Sequence, residues 1–218
     1  MHPLLPALQQ GLDGLALPLS ESQQLQLLAY LDLMGKWTKV YNLTAVRDAQ
    51  EMLTHHLLDS LAVIRPLRRE LAALPLSADR SGYALLDVGS GAGLPGVVIA
   101  ITCPDVRVTC VDTVAKKAAF IQQVAAALRL PNLQGLHARV ESLTKPYDVV
   151  SSRAFASLVD FTSWSTSALA PHGVWMAMKG KHPDQELAVL PESTHVFHVE
   201  QLDVPGLDAE RCIIWMRG

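Results

Sequence analysis

The sequence predicts an α/β fold of the Rossmann-like kind: a mostly parallel seven-stranded sheet finished by an antiparallel last strand, with a helical extension at the N-terminus. Three observations predict it. From Tyr83 onward apolar runs alternate with segments of helical periodicity, the order that builds a parallel sheet covered on both faces. The first of these runs, Leu85-Leu86-Asp87-Val88, passes directly into Gly89-Ser90-Gly91-Ala92-Gly93-Leu94-Pro95-Gly96. A buried strand that ends in alternating glycines is a turn able to grip a nucleotide, because only glycine tolerates both the backbone angles and the close approach of a ligand. Finally, residues 195–204 and 211–216 read as two strands joined by a short loop containing Pro and Gly, and so short a connection forces an antiparallel pair.

The elements before the glycine turn are helical. Ser20 with Gln23 spells a capping box, and Leu25, Leu28 and Leu31 follow on one face. A second helix is expected from near Asp48 and Glu51 through Leu53, Leu57, Leu61 and Ile64, ending where Pro66 makes continuation costly. Residues 75–82, rich in Pro, Ser and Gly, read as a linker, so residues 1–75 form a helical subdomain and 83–218 a Rossmann-like domain, packed as one unit. Val106 to Val111 is the second strand, and the helix after it is expected to bury Val114, Ala118, Ile121, Ala125 and Leu128. Further strands end near His137 and cover 147–151 and 174–178. There is no internal repeat or low-complexity tract.

Composition narrows the class. The chain has 218 residues, half of them hydrophobic, which suffices for one sizeable core. A net charge of -3 supplies no global attraction to nucleic acid or to an anionic membrane, so any RNA contact requires a local basic surface. Cys103, Cys110 and Cys212 are odd in number and form no C-x-x-C pair, which points to neither a disulfide framework nor a zinc site. With no basic lead-in or membrane-length apolar run, a cytoplasmic protein is expected.

Two cofactor registers fit the glycine turn. Asp87-x-Gly89-x-Gly91-x-Gly93 is the signature of methyltransferases that use S-adenosylmethionine, whereas Gly91-x-Gly93-x-x-Gly96 also spells the dinucleotide pattern. In either register Asp112, at the end of the second strand, is placed to accept hydrogen bonds from ribose hydroxyls. Glu141 and Arg153 follow later strands, whose carboxyl ends are where ligands collect in this architecture. His56, Asp59 and Ser60 share a helical face through i, i+3 and i+4 spacing, and a hydrogen-bonded structural triplet where the helix meets the sheet is expected there. Lys36, Lys39, Arg47, Arg65, Arg68 and Arg69 make the helical half locally basic; Trp37 and Tyr41 among them can stack a base or simply fill core.

In combination, residues 36–44 (KWTKVYNLT), 56–60 (HLLDS), the glycine turn, 152–157 (SRAFAS) and Lys179-Gly180 resemble one bacterial family. It is the ribosomal RNA small-subunit methyltransferase G family, also called glucose-inhibited division protein B, and the match runs in order from about residue 20 to the C-terminus. The resemblance implies methyl transfer from S-adenosylmethionine to N7 of a guanine in the decoding-site loop of 16S rRNA. By matching position it places Gly89, Gly91, Gly93, Leu94, Asp112, Val140, Glu141 and Arg153 at the cofactor. It makes Arg153, His56, Asp59 and Asn42 candidates for the guanine pocket and Lys36, Lys39, Arg47, Lys179 and Lys181 candidates for RNA contact. Guanine N7 carries an exposed lone pair, so no general base is required and none is assigned. The expected partner is 16S rRNA or a precursor of the small ribosomal subunit, with a monomeric enzyme and no metal.

Two other readings stay open at this level. A nicotinamide-dependent oxidoreductase would use Gly91, Gly93 and Gly96, but none of Tyr30, Tyr41, Tyr83 or Tyr147 has a lysine four residues on. A non-catalytic nucleotide- or RNA-binding module would keep the fold without transfer.

Overall fold

The continuous apolar run Leu85-Leu86-Asp87-Val88 belongs at the centre of a sheet, with no face left for solvent, and that is where it lies. The computed structural model describes residues 2–75 and 82–218. Strands β1 (Tyr83–Val88), β2 (Val106–Asp112), β3 (Leu133–His137), β4 (Tyr147–Arg153), β5 (Leu169–Lys179), β6 (His195–Gln201) and β7 (Cys212–Arg217) form one sheet in the order β3-β2-β1-β4-β5-β7-β6. β1 pairs in parallel with both neighbours, Leu85 lying opposite Val108 on β2 and Val149 on β4. Only β7 runs against its neighbours, β5 on one side and β6 on the other. Strand order therefore reverses between β1 and β4, the switch point at which open α/β sheets bind ligands.

The two-residue period of the strands divides the interior into two cores. Leu85, Val108, Val149, Met176 and Trp215 point to the face covered by the N-terminal helices, α6 (Gly96–Thr102) and α7 (Ala115–Ala127), while Leu86, Val111, Val150, Trp175 and Ile214 point to the face covered by α8 (Leu158–Ser165).

Helices α1 (Leu5–Gly14) and α2 (Glu21–Tyr41) share the first core with the sheet. The capping box forms as read: Ser20 Oγ accepts from the Gln23 amide while the Gln23 side chain accepts from the Ser20 amide. The Gln23 side chain also donates to Ile101 O, and Gln26 donates to Leu128 O, so α2 is tied to the ends of α6 and α7. Its buried stripe is Leu27, Leu28, Leu31 and Met34 with Tyr30; Leu25, expected inside, is 47% exposed, because the helix is gripped from two sides and the stripe shifts toward Tyr30.

The second helical segment departs from its expected course. α3 (Ala49–Met52), capped by the Asp48 carboxylate, runs into a π-helical stretch (Leu53–Leu58) and then α4 (Asp59–Leu61). Leu53, Leu57, Leu61 and Ile64 are buried as the spacing requires. Pro66 does not end this helix. The chain turns at residues 62–63, and Pro66 lies in the first turn of α5 (Ile64–Ala73), where its missing N–H leaves no helical bond unmade. The linker expected over 75–82 falls, for residues 76–81, outside the described residues.

Three strand and helix boundaries also move. β5 begins at Leu169 rather than Val174, and β6 ends at Gln201, leaving Val204 buried in the connecting loop. Val114 is 44% exposed rather than part of the α7 stripe, since it precedes the helix in an extended conformation and turns toward the carboxyl edge of the sheet. Ala118, Ile121 and Val124 are buried with Phe120, whereas Ala125 and Leu128 are only part-buried at the rim. Among the described residues no helix is long and apolar enough to cross a membrane.

Candidate active site

At the carboxyl end of β1 the chain takes the backbone turn its glycines allow. Gly89 has φ +63°, and a Cβ there would collide with the ring of Phe155; Gly93 has φ +90°, and a Cβ there would collide with Val97 and Ile121. The Gly89 and Ser90 amides both donate to Val111 O on β2, and the Gly91 amide donates to a carboxylate oxygen of Asp112. The back of the turn is pinned from α2, where the fully buried Tyr30 hydroxyl donates to Ala92 O at 2.7 Å. A residue of the helical extension thus fixes the height of the loop.

In front of the turn opens a cleft of about 430 Å³. Val88 and Gly89 form its floor; Asp112, Thr113, Val114 and Lys117 form one wall, Val140 and Glu141 another, and Ala154, Phe155 and Trp164 a third. Gly91, Gly93 and Leu94 shape the turn behind this surface, with the Leu94 side chain buried in the core. Ala154 holds φ +50°, a left-handed conformation uncommon for a residue with a Cβ, of the sort that persists where a binding site fixes the backbone.

Asp112 serves both as wall and as brace. One of its oxygens accepts from Val114 N at 2.9 Å, the other from Gly91 N at 3.0 Å, with Lys117 Nζ at 3.5 Å. Each carboxylate oxygen has a second lone pair, so the side chain can hold the loop and still accept from a ligand hydroxyl. Cleft shape, apolar walls for a ring, a carboxylate for a ribose and a floor that a Cβ would fill together fit an adenosyl group.

Beneath the loop, Asp87 is fully buried. Its carboxylate accepts from Gly96 N at 2.9 Å and from Ser151 Oγ at 3.0 Å, tying the start of α6 to β4. Burial raises its pKa from 3.8 to about 7, against the pull of those two donors. His56 shifts the other way: burial, reinforced by the charge of Arg153, lowers its pKa from 6.5 to about 4. As pH rises from about 4 to about 7, the proton Asp87 keeps only when folded is lost, and with it that contribution to stability; His56 gains stability over 4 to 6.5 because only the unfolded state charges it. The two slopes oppose each other in one window. The unfolding free energy of Asp87→Asn should therefore improve steadily relative to the parent between pH 4 and pH 7. Urea titrations of both proteins across that range check it, and a difference independent of pH contradicts the assignment.

Arg153, at the end of β4, turns away from the cleft wall formed by its neighbours. Its guanidinium donates to Asp59 Oδ2 at 2.8 Å and to His55 O, while Arg211 Nε donates to Asp59 Oδ1 at 2.8 Å. The Asp59 side chain is 2% exposed, so one buried carboxylate joins the helical segment, β4 and the hairpin. The hydrogen-bonded triplet expected of His56, Asp59 and Ser60 is not formed. His56 Nε2 pairs with Thr44 Oγ1 at 2.6 Å, Asp59 pairs with the arginines, and Ser60 Oγ is buried without a partner. The π-helical stretch that ends at Leu58 alters the facing of these side chains, which the 3.6-residue spacing did not anticipate. Asn42 caps α2 in a left-handed conformation and accepts from Arg47.

The remaining candidates separate by exposure. Lys36, Lys39, Arg47 and Lys181 are exposed, whereas Lys179 is partly buried, its ammonium shared between Ala156 O and the Glu186 carboxylate. Glu186 also accepts from Leu158 N, so this pair braces the segment after β4. Sequence reasoning missed Tyr30, Phe155, Trp164 and Arg211. Phe155 lay within a motif already singled out; the other three gave no local signal.

Residues 23–214 match the family described as rRNA small subunit methyltransferase G (GidB). Ribosomal RNA small subunit methyltransferase G of Polaromonas sp. (strain JS666 / ATCC BAA-500) is 70% identical over 210 residues, 96% of this chain and 92% of that one. The protein of the same name from Albidiferax ferrireducens is 66% identical over 220 residues, covering 100% and 98%. Among solved structures, coclaurine N-methyltransferase superposes with a TM-score of 0.56 at 10% identity, over 99% of this chain and 94% of that one. A SAM-dependent methyltransferase from Aquifex aeolicus gives 0.55 at 14% identity, over 76% and 92%. At such identities these structures speak for the fold alone.

Proposed function

Because this chain belongs to the rRNA small subunit methyltransferase G family, and is thus an S-adenosylmethionine-dependent rRNA methyltransferase, we propose that it methylates N7 of a guanine in the decoding-site loop of 16S rRNA. The observation that carries this reading is the cleft at the switch point, floored by Gly89 in a left-handed conformation and walled by Asp112. In that cleft Asp112 would hold the ribose and Val140 and Glu141 would border the adenine, with the Phe155 ring packed against Gly89. S-adenosylmethionine, when bound there, supplies an electrophilic methyl group on a sulfonium.

The side chains have little acid–base work in such a reaction. N7 presents its lone pair without losing a proton, and the buried carboxylate in the cleft, Asp112, is already engaged with two backbone amides. Rate then comes from holding the purine in line with the methyl–sulfur bond. Arg153, His56, Asp59 and Asn42, around the joint between helices and sheet, are the candidates for holding the base. N7 is hard to reach in the deep, narrow major groove of an RNA duplex, so the guanine enters unpaired or turned out of its stack. A cytoplasmic monomer acting on 16S rRNA, free or in a precursor of the small subunit, is the corresponding expectation.

The test is to map N7-methylguanine along 16S rRNA by borohydride reduction and aniline scission, from cells with and without this protein. One scission in the decoding-site loop that depends on the protein is the expected result. An identical pattern in both strains overturns the assignment.

A further inference from the structure

A second cleft, of about 540 Å³, lies between the start of α1, the C-terminal half of α2 and α3, and shares no lining residue with the first. Its floor is apolar, from Leu4, Leu31 and Met52. Its rim is cationic. Lys36, Lys39 and Arg47 are exposed, and among the described residues Lys36 and Lys39 have no ion-pair partner and Arg47 bonds only the neutral Asn42. The rim carboxylate, Asp32, faces His2 at 3.3 Å. On a chain of net charge -3, this concentration of free cations around an apolar floor is a local feature.

Two further observations mark the cleft as able to take a ligand. Thr38, 1% exposed, lines it with a buried Oγ1 that has no hydrogen-bond partner. Gly35, also on its wall, has nothing within 4 Å of where a Cβ would stand. α2 connects the two clefts: Tyr30 reaches the glycine turn of the first, and Gly35, Lys36, Thr38 and Lys39 line the second. Apolar floor, cationic rim and an unused hydroxyl match a base carrying a phosphate.

Resting on the rRNA-methyltransferase reading, we propose that this second cleft receives one unpaired nucleotide of the rRNA strand flanking the target guanine, its base on the floor and its phosphate between Lys36, Lys39 and Arg47. Seating a flanking nucleotide would fix the strand's register relative to the cofactor cleft, which a purely electrostatic surface cannot do.

Gly35→Phe fills the cleft without changing a charge, and replacing a mid-helix glycine favours the helix, so the fold is retained. Anisotropy of a fluorescent RNA hairpin carrying the decoding-site loop, measured without methyl donor, should show about tenfold weaker binding by Gly35→Phe with an unaltered salt slope. The double variant Lys36→Glu with Lys39→Glu should weaken binding and flatten that slope. Both should bind S-adenosylmethionine as the parent does. If Gly35→Phe binds the hairpin like the parent, no base enters and the proposal is overturned, even where the charge variant shows that RNA crosses this face. If guanosine monophosphate alone binds the parent more tightly than the hairpin and loses that binding in Gly35→Phe, the occupant is a free nucleotide and the strand assignment is overturned. Because RNA binding is read without transfer, failure of the methylation reading would appear separately, as bound but unmethylated RNA.

Discussion

Asp59→Ala should lower the unfolding free energy by roughly 2–4 kcal/mol and abolish methyl transfer. Its carboxylate is buried between two guanidiniums at 2.8 Å, each belonging to a different part of the fold. Removing it leaves two part-buried cations facing each other with no counter-charge, and their partial exposure, 21% and 24%, keeps the cost below that of a fully buried pair. Asp59→Asn separates fold from function. One amide oxygen can still accept from one arginine, so most of the stability survives, while Arg153 loses its fixed direction. Single-turnover transfer should then fall by about a hundredfold, the usual consequence of a small misplacement at a reacting centre. Denaturant titration together with single-turnover rates checks both halves; Asp59→Asn with parental rates would remove Asp59 from the positioning of Arg153.

The second large effect is expected at Asp112. Asp112→Ala removes the acceptor for Gly91 N and Val114 N and, among the described residues, the one buried carboxylate on the cleft wall. Two ribose hydroxyls lose their partner and the glycine turn loses one of its ties to β2, so affinity for S-adenosylmethionine should weaken by about 1.5–3 kcal/mol, roughly ten- to a hundredfold. Calorimetry reads this directly. Unchanged affinity would make Asp112 a structural acid alone.

Much of this architecture could be read from the chain because its signals are local. The step from Leu85-Leu86-Asp87-Val88 into alternating glycines and the Ser20–Gln23 cap each act over a few residues and appear where expected, and the last two strands pair antiparallel as expected, though through a longer loop. What could not be read depends on contacts between distant segments. Tyr30 reaches Ala92 across the helix–sheet joint, and Arg211 reaches Asp59 from the far end of the chain; nothing near either residue announces its partner. The π-helical stretch at Leu53–Leu58 is a tertiary compromise that buries leucines on one side and Asp59 on the other, so a strict 3.6-residue period misplaced the partners of His56 and Ser60. Pro66 misled for a related reason, since a proline that ends one helix equally suits the first turn of the next. Lys179 reads as a surface cation in sequence, yet Glu186 claims it.

The claim on which everything turns is that the cleft beside Gly89 transfers methyl by holding an already nucleophilic nitrogen, with no side chain removing a proton. The pH dependence of single-turnover transfer to the 16S rRNA substrate, at saturating S-adenosylmethionine, tests it most directly. A rate that stays level from pH 6 to pH 9 is the predicted result; a tenfold rise with each pH unit would mean that a proton must leave before attack, and would contradict transfer to N7 by positioning alone.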